Sequence, residues 1–363
     1  MSETPGVFNE TELLIQRDRA DRMMLDDRIK QQFIPKINLY NYVRSLQTAT
    51  VNEAFNRRSG KHYDIEIMWM NACDTFDSND ESCVFDGEEV STNTQEYSLT
   101  KRIVKEFKIY DYKFKDNEFD ETEAVAKALL RIDKLISEEF TQYLTTQLDT
   151  FAGMNQVGTA PNRIVNGNVT VIPPEEWTPE LMAYLARTAI MNRFTNPALI
   201  SGSNLWETNF VVNANRVNAD GGGDYILING FPLWFDLFNV DAVMNPDYAT
   251  FMVSQGAVAM ASKTKNPSTP FRSFDDIRYT MPSRFMSGMT YDVYYTNKCH
   301  PESTLDGEEP EGFQKDQLAH FYKIVLTADL FLNPTGCAGD NPEGGLNTGV
   351  LKFLNADADV DLS

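Results

Sequence analysis

One uninterrupted helical pattern, from Glu121 to Phe151, constrains this fold more than any other feature of the sequence. Its apolar residues are spaced by 4, 3, 4, 4, 4, 4 and 3 positions, the period of an α-helix with one buried face. They are Val125, Leu129, Ile132, Ile136, Phe140, Leu144, Leu148 and Phe151. Asp120 or Thr122 can cap the start, and Gly153 can end the helix. About 30 helical residues span roughly 45 Å, so we expect this helix to run across a whole domain.

A second amphipathic helix is predicted near the N-terminus, over residues 9–34. Asn9 and Glu12 have the spacing of a capping box, and Pro35 cannot continue a helix. The apolar positions among its many charges are Leu13, Leu14, Met24, Leu25, Ile29 and Phe33. Such a helix can belong to the surface of a globular domain, or it can form an arm that lies on a neighbouring molecule.

Residues 62–115 predict an extended β-hairpin. The run 62–70 alternates polar and apolar residues, and the run 97–114 is also β-prone. Residues 71–93 between them are rich in Asp, Glu, Ser and Asn, as expected of a polar tip. A long two-stranded hairpin is marginal alone, so we expect it to rest on other structure, such as another subunit.

Cys73 and Cys83 flank the acidic tip. A disulfide between them stays open, although a chain without an export signal favours free thiols.

The rest of the chain predicts mixed helix and strand. Thr178 and Pro179 suit the N-cap and first position of a helix that runs toward Arg193. Further strands are predicted over residues 196–203, 225–229, 232–235, 251–260, 292–296 and 319–329. We therefore expect an α+β fold.

Charge and hydropathy exclude several classes of protein. The chain carries 53 acidic and 32 basic residues, a formal charge of −21. An acidic surface repels phosphate backbones, which argues against nucleic-acid wrapping as the main role. No apolar run approaches the roughly 18–20 residues of a membrane span. The first residues lack a basic stretch followed by an apolar core, so no secretory signal is expected.

Motifs that carry chemistry are missing from the sequence. There is no phosphate-binding loop, nucleophile elbow, HExxH zinc motif or dinucleotide fingerprint. The acidic residues between Asp74 and Glu89 do not have the spacing of a twelve-residue calcium loop. We therefore assign no catalytic residue, metal ligand or cofactor. A carboxylate-dependent hydrolase or a calcium-binding protein remains an alternative, because any acidic chain offers pairs of carboxylates.

The order of these elements resembles the major capsid protein family of tailed bacteriophages, whose fold is shared by encapsulin shell proteins. Residues 188–206 resemble the family's segment in which a peripheral helix leads into a short strand. Residues 224–235 (DYILINGFPLWF) resemble its strand turn in the axial domain, and residues 251–263 resemble the strand pair that returns to the periphery.

The resemblance implies a division of the chain into segments. An N-terminal arm would cover residues 1–50, an extended hairpin loop residues 51–115, and a peripheral domain with the long spine helix residues 116–205. An axial domain would follow over residues 206–250. Residues 251–363 would return to the peripheral domain and form the C-terminal strands.

The resemblance also implies a structural role without enzymatic activity: hexamers and pentamers that form an icosahedral head around a phage genome. Its partners would be other copies of the chain, a portal, a separate scaffold or decoration protein, and double-stranded DNA packaged without sequence-specific binding, with no membrane. The location would be the virion, after assembly in the host cytoplasm. An encapsulin-type compartment shell is the alternative with the same fold.

Contacts between subunits are expected at Leu13, Leu14, Met24, Leu25, Ile65, Ile67, Trp69, Ile103, Phe107 and Ile109. On this hypothesis Trp69→Ala weakens assembly more than folding.

Overall fold

The computed structural model describes most of the chain and contains both helices and sheets. The described residues are 9–52, 63–70, 92–110, 121–155, 157, 163–178, 180–203, 205–206, 225–228, 231–244, 249–273, 276–300, 317–334 and 348–355. The helices are α1 (Glu10–Met23), α2 (Asp27–Phe33), α3 (Asn38–Leu46), α4 (Glu121–Phe151), α5 (Leu181–Met191) and α6 (Leu237–Met244). The first eight strands are β1 (Thr50–Asn52), β2 (Asp64–Met70), β3 (Thr92–Ser98), β4 (Arg102–Tyr110), β5 (Ile164–Asn166), β6 (Val169–Ile172), β7 (Ala198–Ser201) and β8 (Tyr225–Ile228). The others are β9 (Phe231–Phe235), β10 (Ala249–Val253), β11 (Val258–Ser262), β12 (Phe271–Ser273), β13 (Asp276–Pro282), β14 (Thr290–His300), β15 (Gln317–Leu332) and β16 (Val350–Asn355).

The chain divides into two units, each made of three separate segments. Unit 1 comprises Met1–Pro35, Thr100–Glu139 and Ser262–Ala328. Unit 2 comprises Lys36–Leu99, Phe140–Ala261 and Asp329–Ser363. These units do not follow the five segments implied by the resemblance, whose assignment to domains stays a prediction.

Unit 1 is built on an antiparallel sheet in the order β4-β15-β14-β13-β12. Successive residues of each strand point to opposite faces. One face is buried and carries the large residues Tyr279, Tyr291, Tyr295 and Tyr322. The other face carries half-exposed or exposed residues, among them Tyr294, Lys298 and Phe321.

Unit 2 contains a mixed seven-stranded sheet in the order β5-β6-β16-β10-β7-β9-β8. β6 pairs with β16 and β7 with β9 in parallel, and the other neighbours are antiparallel. α5 covers this sheet through a core that includes Leu181, Leu185, Leu199, Leu233 and Phe353. A three-stranded sheet, β1-β2-β3, belongs to the same unit.

Helix α4 confirms the long helical pattern. Its 31 residues begin and end where the sequence predicts. All of the predicted apolar positions from Val125 to Leu148 are buried, and Phe151 is half-buried. The unbroken spacing therefore identified the buried face correctly.

The prediction of a single helix over residues 9–34 is wrong in one respect, because the structure contains two helices there. The predicted capping box is confirmed: the Glu12 amide donates to the Asn9 side chain (2.9 Å), and the Asn9 amide donates to the Glu12 carboxylate (2.6 Å). The chain leaves the helix after Met23, and Asp26 then caps α2 by accepting a hydrogen bond from the Arg28 amide at 3.0 Å. Asp competes with the helical backbone in this way, which explains the restart.

The prediction of one long hairpin is also partly wrong. β2 pairs antiparallel with β3, from Asp64 opposite Ser98 to Met70 opposite Thr92. The second strand does not continue to residue 114, because the chain leaves this sheet at Leu99, and β4 pairs instead with β15. One β-prone stretch therefore serves two sheets. The acidic tip, with Cys73 and Cys83, lies outside the described residues.

The later elements that were predicted agree with the structure except at one helix start. β7 to β11, β14 and β15 occupy or overlap the predicted strand regions, whereas β5, β6, β12, β13, β16 and α6 were not predicted. α5 begins at Leu181 with Glu180 at the N-cap position, rather than after Thr178. Between β10 and β11 the Ala257 amide donates to the Ser254 carbonyl, and Gly256 has a φ of +79°. This left-handed position suits glycine and makes the tight turn that ends β10.

Candidate assembly surfaces

The N-terminal helices pack within unit 1. Ala20 and Met23 of α1 contact Ala126 and Leu130 of α4 in one apolar cluster. Met24, Ile29 and Phe33 are half-buried against the same cluster. The predicted arm is therefore attached to its own chain along one helix face, and only its other face is available to a neighbour.

A buried polar cluster reinforces this attachment. The Asp133 side chain on α4 is completely buried. Its carboxylate accepts hydrogen bonds from the Tyr291 hydroxyl (2.6 Å), the Ser283 hydroxyl (2.8 Å) and the Arg284 amide (2.8 Å). The Arg284 guanidinium lies 3.8 Å from the Asp133 carboxylate and 2.7 Å from Asp21 of α1. It also donates to the Arg17 carbonyl at 3.2 Å, so one side chain joins α1 and α4.

Burial and hydrogen bonding oppose each other at Asp133. Loss of solvation raises the pKa of the Asp133 carboxyl, because the charged form is disfavoured away from water. The hydrogen bonds from Tyr291, the Arg284 amide and Ser283, and the Arg284 charge, lower that pKa in part. Burial, followed by the Asp133 charge, raises the pKa of Tyr291 well above its usual value, which keeps the hydroxyl protonated as a donor.

We expect Arg284→Lys to destabilise the subunit by about 1.5–3 kcal/mol, the range for a hydrogen bond to a charged group. Lysine keeps the charge but lacks the planar fork that reaches Asp21, Asp133 and the Arg17 carbonyl together. Urea unfolding of the variant measures this loss. Lys127→Met is the control, because its half-exposed pair with Glu123 contributes only about 0.3–0.5 kcal/mol. Equal stability of the Arg284→Lys variant and the parent chain would show that the shared contacts contribute little.

The predicted contact residues of the arm differ in exposure. Leu13 has no exposed surface, so it belongs to the core of unit 1, and its expected role between subunits is corrected. Leu14 and Met24 are half-buried. Leu25 lies between α1 and α2 with 83% of its surface exposed. Leu25 is therefore the arm residue with the most surface left to bury.

The predicted contact residues of the hairpin are core residues of unit 2. Ile65, Ile67 and Trp69 have no exposed surface, and they pack in one cluster with Ala259 and Ala261. The expectation that the alternating face of β2 finds its burial on another subunit is corrected. The described part of the hairpin is buried by its own unit, because β11 supplies small side chains on which large ones can rest.

The remaining predicted contacts lie on β4 in unit 1. Ile103 is 1% exposed and is therefore a core residue, so its expected role between subunits is corrected as well. Phe107 is half-buried and stacks on Tyr322, with ring centroids 4.7 Å apart and planes 3° from parallel. Ile109 is half-buried.

Sequence reasoning missed three exposed apolar residues of unit 2, Trp206, Leu237 and Phe238. Trp206 follows β7, and Leu237 and Phe238 follow β9; these parallel strands end at the same edge of the seven-stranded sheet. The Ser203 amide donates to both Asp241 carboxylate oxygens (3.2 and 3.1 Å), which fixes the two segments side by side. A Cβ on Gly202 would lie 1.6 Å from the Asp241 carboxylate, so this approach requires glycine. These three residues belong to separate segments of the sequence, and no periodicity reveals their exposure.

No metal centre is evident in the described part of the chain. Groups of three or more His, Cys, Asp or Glu side chains that could hold a metal are absent from the described ranges. Among the helices that the structure describes, none is both long and apolar enough to cross a membrane.

Comparisons with known proteins give structural matches only. No protein-family model matches the chain, and no curated protein does. The chain is similar to the capsid of cyanophage P-SCSP1u, with 8% identity, a TM-score of 0.41, and 85% of this chain and 84% of that chain covered. It is similar to a structure from Mycobacterium phage Che8, with 10% identity, a TM-score of 0.39, and coverage of 84% and 92%. It is also similar to the encapsulin complex of Synechococcus elongatus PCC 7942, with 13% identity, a TM-score of 0.38, and coverage of 75% and 79%.

Proposed function

We propose that this chain is a major capsid protein whose copies assemble into hexamers and pentamers and form an icosahedral phage head. The observation that carries the proposal is the order of elements. An N-terminal helical pair is followed by the paired strands β2 and β3, by the 31-residue helix α4 and by a mixed region that ends in strands. The resemblance noted in the sequence implies this order.

The exposed apolar residues support an assembling subunit. Leu25 in unit 1 and Ile190 and Phe238 in unit 2 are 83%, 76% and 49% exposed. Single exposed apolar residues are ordinary, whereas contiguous apolar patches indicate interaction sites. Trp206, Leu237 and Phe238 follow two neighbouring strands of one sheet and are candidates for such a patch. Shell subunits contact several neighbours, so distinct patches on one chain fit this role.

The proposal extends to partners and location. The partners would be other copies of this chain, a portal, a separate scaffold or decoration protein, and double-stranded DNA held in the lumen without sequence-specific binding. The acidic charge of −21 supports a lumen that does not grip packaged DNA. The protein would reside in the virion after assembly in the host cytoplasm, and it would act without catalysis.

Negative-stain electron microscopy of the purified full chain, alone and with coexpressed neighbouring genes, tests the proposal. We expect closed shells of uniform size, and a chain that stays monomeric under every condition would contradict it. Analysis of the shell contents separates the two shell types: nucleic acid favours a phage head, whereas copurifying cargo enzymes would favour an encapsulin-type compartment.

We expect Leu25→Ser to impair assembly without affecting folding. Burial of a leucine side chain contributes about 1.5–3 kcal/mol, so its loss raises the protein concentration needed for assembly about tenfold or more. The free energy of unfolding should change by less than about 0.5 kcal/mol, because the residue is exposed in the subunit. Light scattering against protein concentration measures the assembly threshold. Gln31→Ser, an exposed polar position on α2, is the control. Unchanged assembly of the Leu25→Ser variant would remove Leu25 from the contact surface.

A further inference from the structure

Helix α5 has an exposed face opposite the one that packs on the seven-stranded sheet. The exposed side chains are Ala183, Arg187, Ile190 and Met191, at spacings of 4, 3 and 1. Residues three or four apart are neighbours on a helix surface, so these side chains form one continuous stripe. Ile190 and Met191, which both adjoin Arg187, are 76% and 52% exposed. Apolar side chains grouped in this way indicate an interaction site more strongly than apolar residues that are exposed singly.

The charge of this segment is opposite to that of the whole chain. No Asp or Glu occurs from Leu181 to Trp206, although the sequence contains 53 acidic residues and has a formal charge of −21. The same stretch contains Arg187 and Arg193, which are both exposed. Neither guanidinium group has a carboxylate partner among the residues that the structure describes. Two arginines beside an apolar stripe are therefore available to acidic groups of a partner.

Arg193 has a backbone conformation that favours glycine. Its φ is +55°, and its amide donates to the Ile190 carbonyl at 3.0 Å. The Phe194 amide donates to the Ala189 carbonyl at 2.9 Å, so α5 ends in a Schellman motif with Arg193 at the position where glycine is usual. A residue with a side chain is strained in this conformation. Because such strain is concentrated at functional sites, it points to a use for the arginine side chain.

The stripe indicates the chemistry of its partner. Its apolar and charged side chains lie along one line of a helix, and the small Ala183 leaves room for a second helix to approach closely. The complementary surface is an amphipathic helix whose apolar side chains are flanked by carboxylates, because carboxylates form charge-assisted hydrogen bonds with arginine. A phosphate backbone would use only the arginines and leave Ile190 and Met191 exposed.

Another copy of this chain is a poorer match for the stripe. The carboxylates Glu123, Glu139 and Asp149 on α4, its longest helix, each lie 2.5–2.7 Å from a lysine nitrogen. These groups are already paired within their own chain, so they would have to exchange one cation for another. A separate protein can supply carboxylates that gain a partner, which favours a partner of a different sequence.

We propose that the exposed stripe of α5, together with Arg193, binds an amphipathic helix of a separate protein whose apolar side chains are flanked by carboxylates. This inference rests on the proposed function, which names a scaffold or decoration protein as a partner without a site for it. Ile190 and Met191 supply the apolar contact, and Arg187 and Arg193 pair with the carboxylates. The surface is small, so one site binds weakly, and the many copies in a shell strengthen binding through avidity.

Binding of a labelled synthetic helical peptide to the dissociated full-length subunit tests the proposal. The peptide has leucines along one face and glutamates beside them, and a second peptide has lysines in place of the glutamates. The variants are Arg187→Gln with Ile190→Ser, and Arg193→Gly alone. Arg131→Gln, at an exposed position of α4, is the matched control, and Arg193→Lys keeps the charge. Fluorescence anisotropy measures binding, and urea unfolding measures stability.

We expect the parent chain to bind the glutamate peptide about tenfold more tightly than the lysine peptide. The double variant should weaken this binding about tenfold, whereas Arg131→Gln and Arg193→Lys should change it less than about threefold. Arg193→Gly should weaken binding about threefold or more without lowering the urea midpoint, because glycine suits the left-handed turn. A midpoint that falls together with binding would overturn the role of Arg193 in recognition and leave it a structural one.

Equal binding of the two peptides, or equal losses in the double variant and the control, would overturn the proposal. Tighter binding of oligothymidylate or of phosphatidylserine vesicles than of the glutamate peptide would overturn it in favour of nucleic acid or a membrane. Self-association of the subunit that the double variant abolishes would assign the stripe to a second copy. Normal shells from subunits that do not bind the peptide would refute this site alone, whereas absence of shells under all conditions would refute the proposed function.

Discussion

Trp69→Ala is expected to destabilise the subunit by about 3–5 kcal/mol, the cost of truncating a fully buried large aromatic residue. Trp69 has no exposed surface, and its ring meets the Tyr97 ring edge to face, with centroids 6.4 Å apart. Its indole nitrogen also donates to the Tyr97 hydroxyl at 3.2 Å. The variant would leave a cavity against Ala259 and Ala261 and a hydroxyl without its donor. Urea unfolding of dissociated subunits, followed by circular dichroism, measures the effect.

Met68→Ala is the matched control for this experiment. Met68 is the preceding residue of β2 and is 43% exposed, so its truncation should cost less than about 1 kcal/mol. This comparison separates the face of β2 that unit 2 buries from the face that it leaves open. If the Trp69→Ala subunit has normal stability but fails to assemble, Trp69 would be a contact residue between subunits, as the sequence alone had indicated.

Phe140→Ala is the second change with a large expected effect, again about 3–5 kcal/mol. Phe140 lies on α4 with no exposed surface, and its ring centroid is 6.5 Å from that of Tyr40 on α3 and 6.1 Å from that of Tyr143. Its loss removes the aromatic contact with Tyr40 on α3. The unfolding midpoint in urea should fall, with the slope unchanged if the variant still unfolds in two states.

The control for Phe140→Ala is Leu135→Ala on the same helix. Leu135 is 42% exposed, and replacement by alanine costs no helix propensity, so we expect a change of less than about 1 kcal/mol. Equal destabilisation by both variants would contradict the burial pattern of α4. Only a loss confined to Phe140→Ala supports the assignment of one buried face.

The sequence predicted local elements well because they depend on local spacing. The steps of 3 and 4 between apolar residues define α4 without reference to the rest of the chain, and the capping box of α1 needs only Asn9 and Glu12. The break in the N-terminal helices was missed because Asp26 is one of many charged residues in this stretch, so nothing singled it out as a cap.

The spacing of apolar residues could not predict which part of the structure covers them. The alternation of Ile65, Ile67 and Trp69 correctly indicates one buried face, but their partners Ala259 and Ala261 lie far away in the sequence. A neighbouring subunit would have produced the same alternation. The sequence therefore predicted correctly that these residues are buried. It predicted wrongly that another subunit buries them, because residues of their own unit do so.

The polar cluster in unit 1 was missed for a related reason. Asp133 and Arg284 are 151 residues apart, and neither belongs to a recognisable motif. One signal was available: Asp133 is a charged residue that borders the apolar stripe of α4, between Leu129 and Ile136. Acidic residues in such positions are buried only with partners, so a search for a distant cation was justified.

The interleaving of the two units has a consequence for biosynthesis. Unit 1 needs β13, β14 and β15, and unit 2 needs β16, so synthesis must pass Leu332 before unit 1 has all its described strands and Asn355 before unit 2 has its own. Domains usually fold one after another from the N-terminus as they emerge, whereas pairings between distant segments form slowly. Neither half of this sequence contains all the strands of one unit. Nascent chains would thus remain incomplete until late in translation, which delays the appearance of any copy competent to join another.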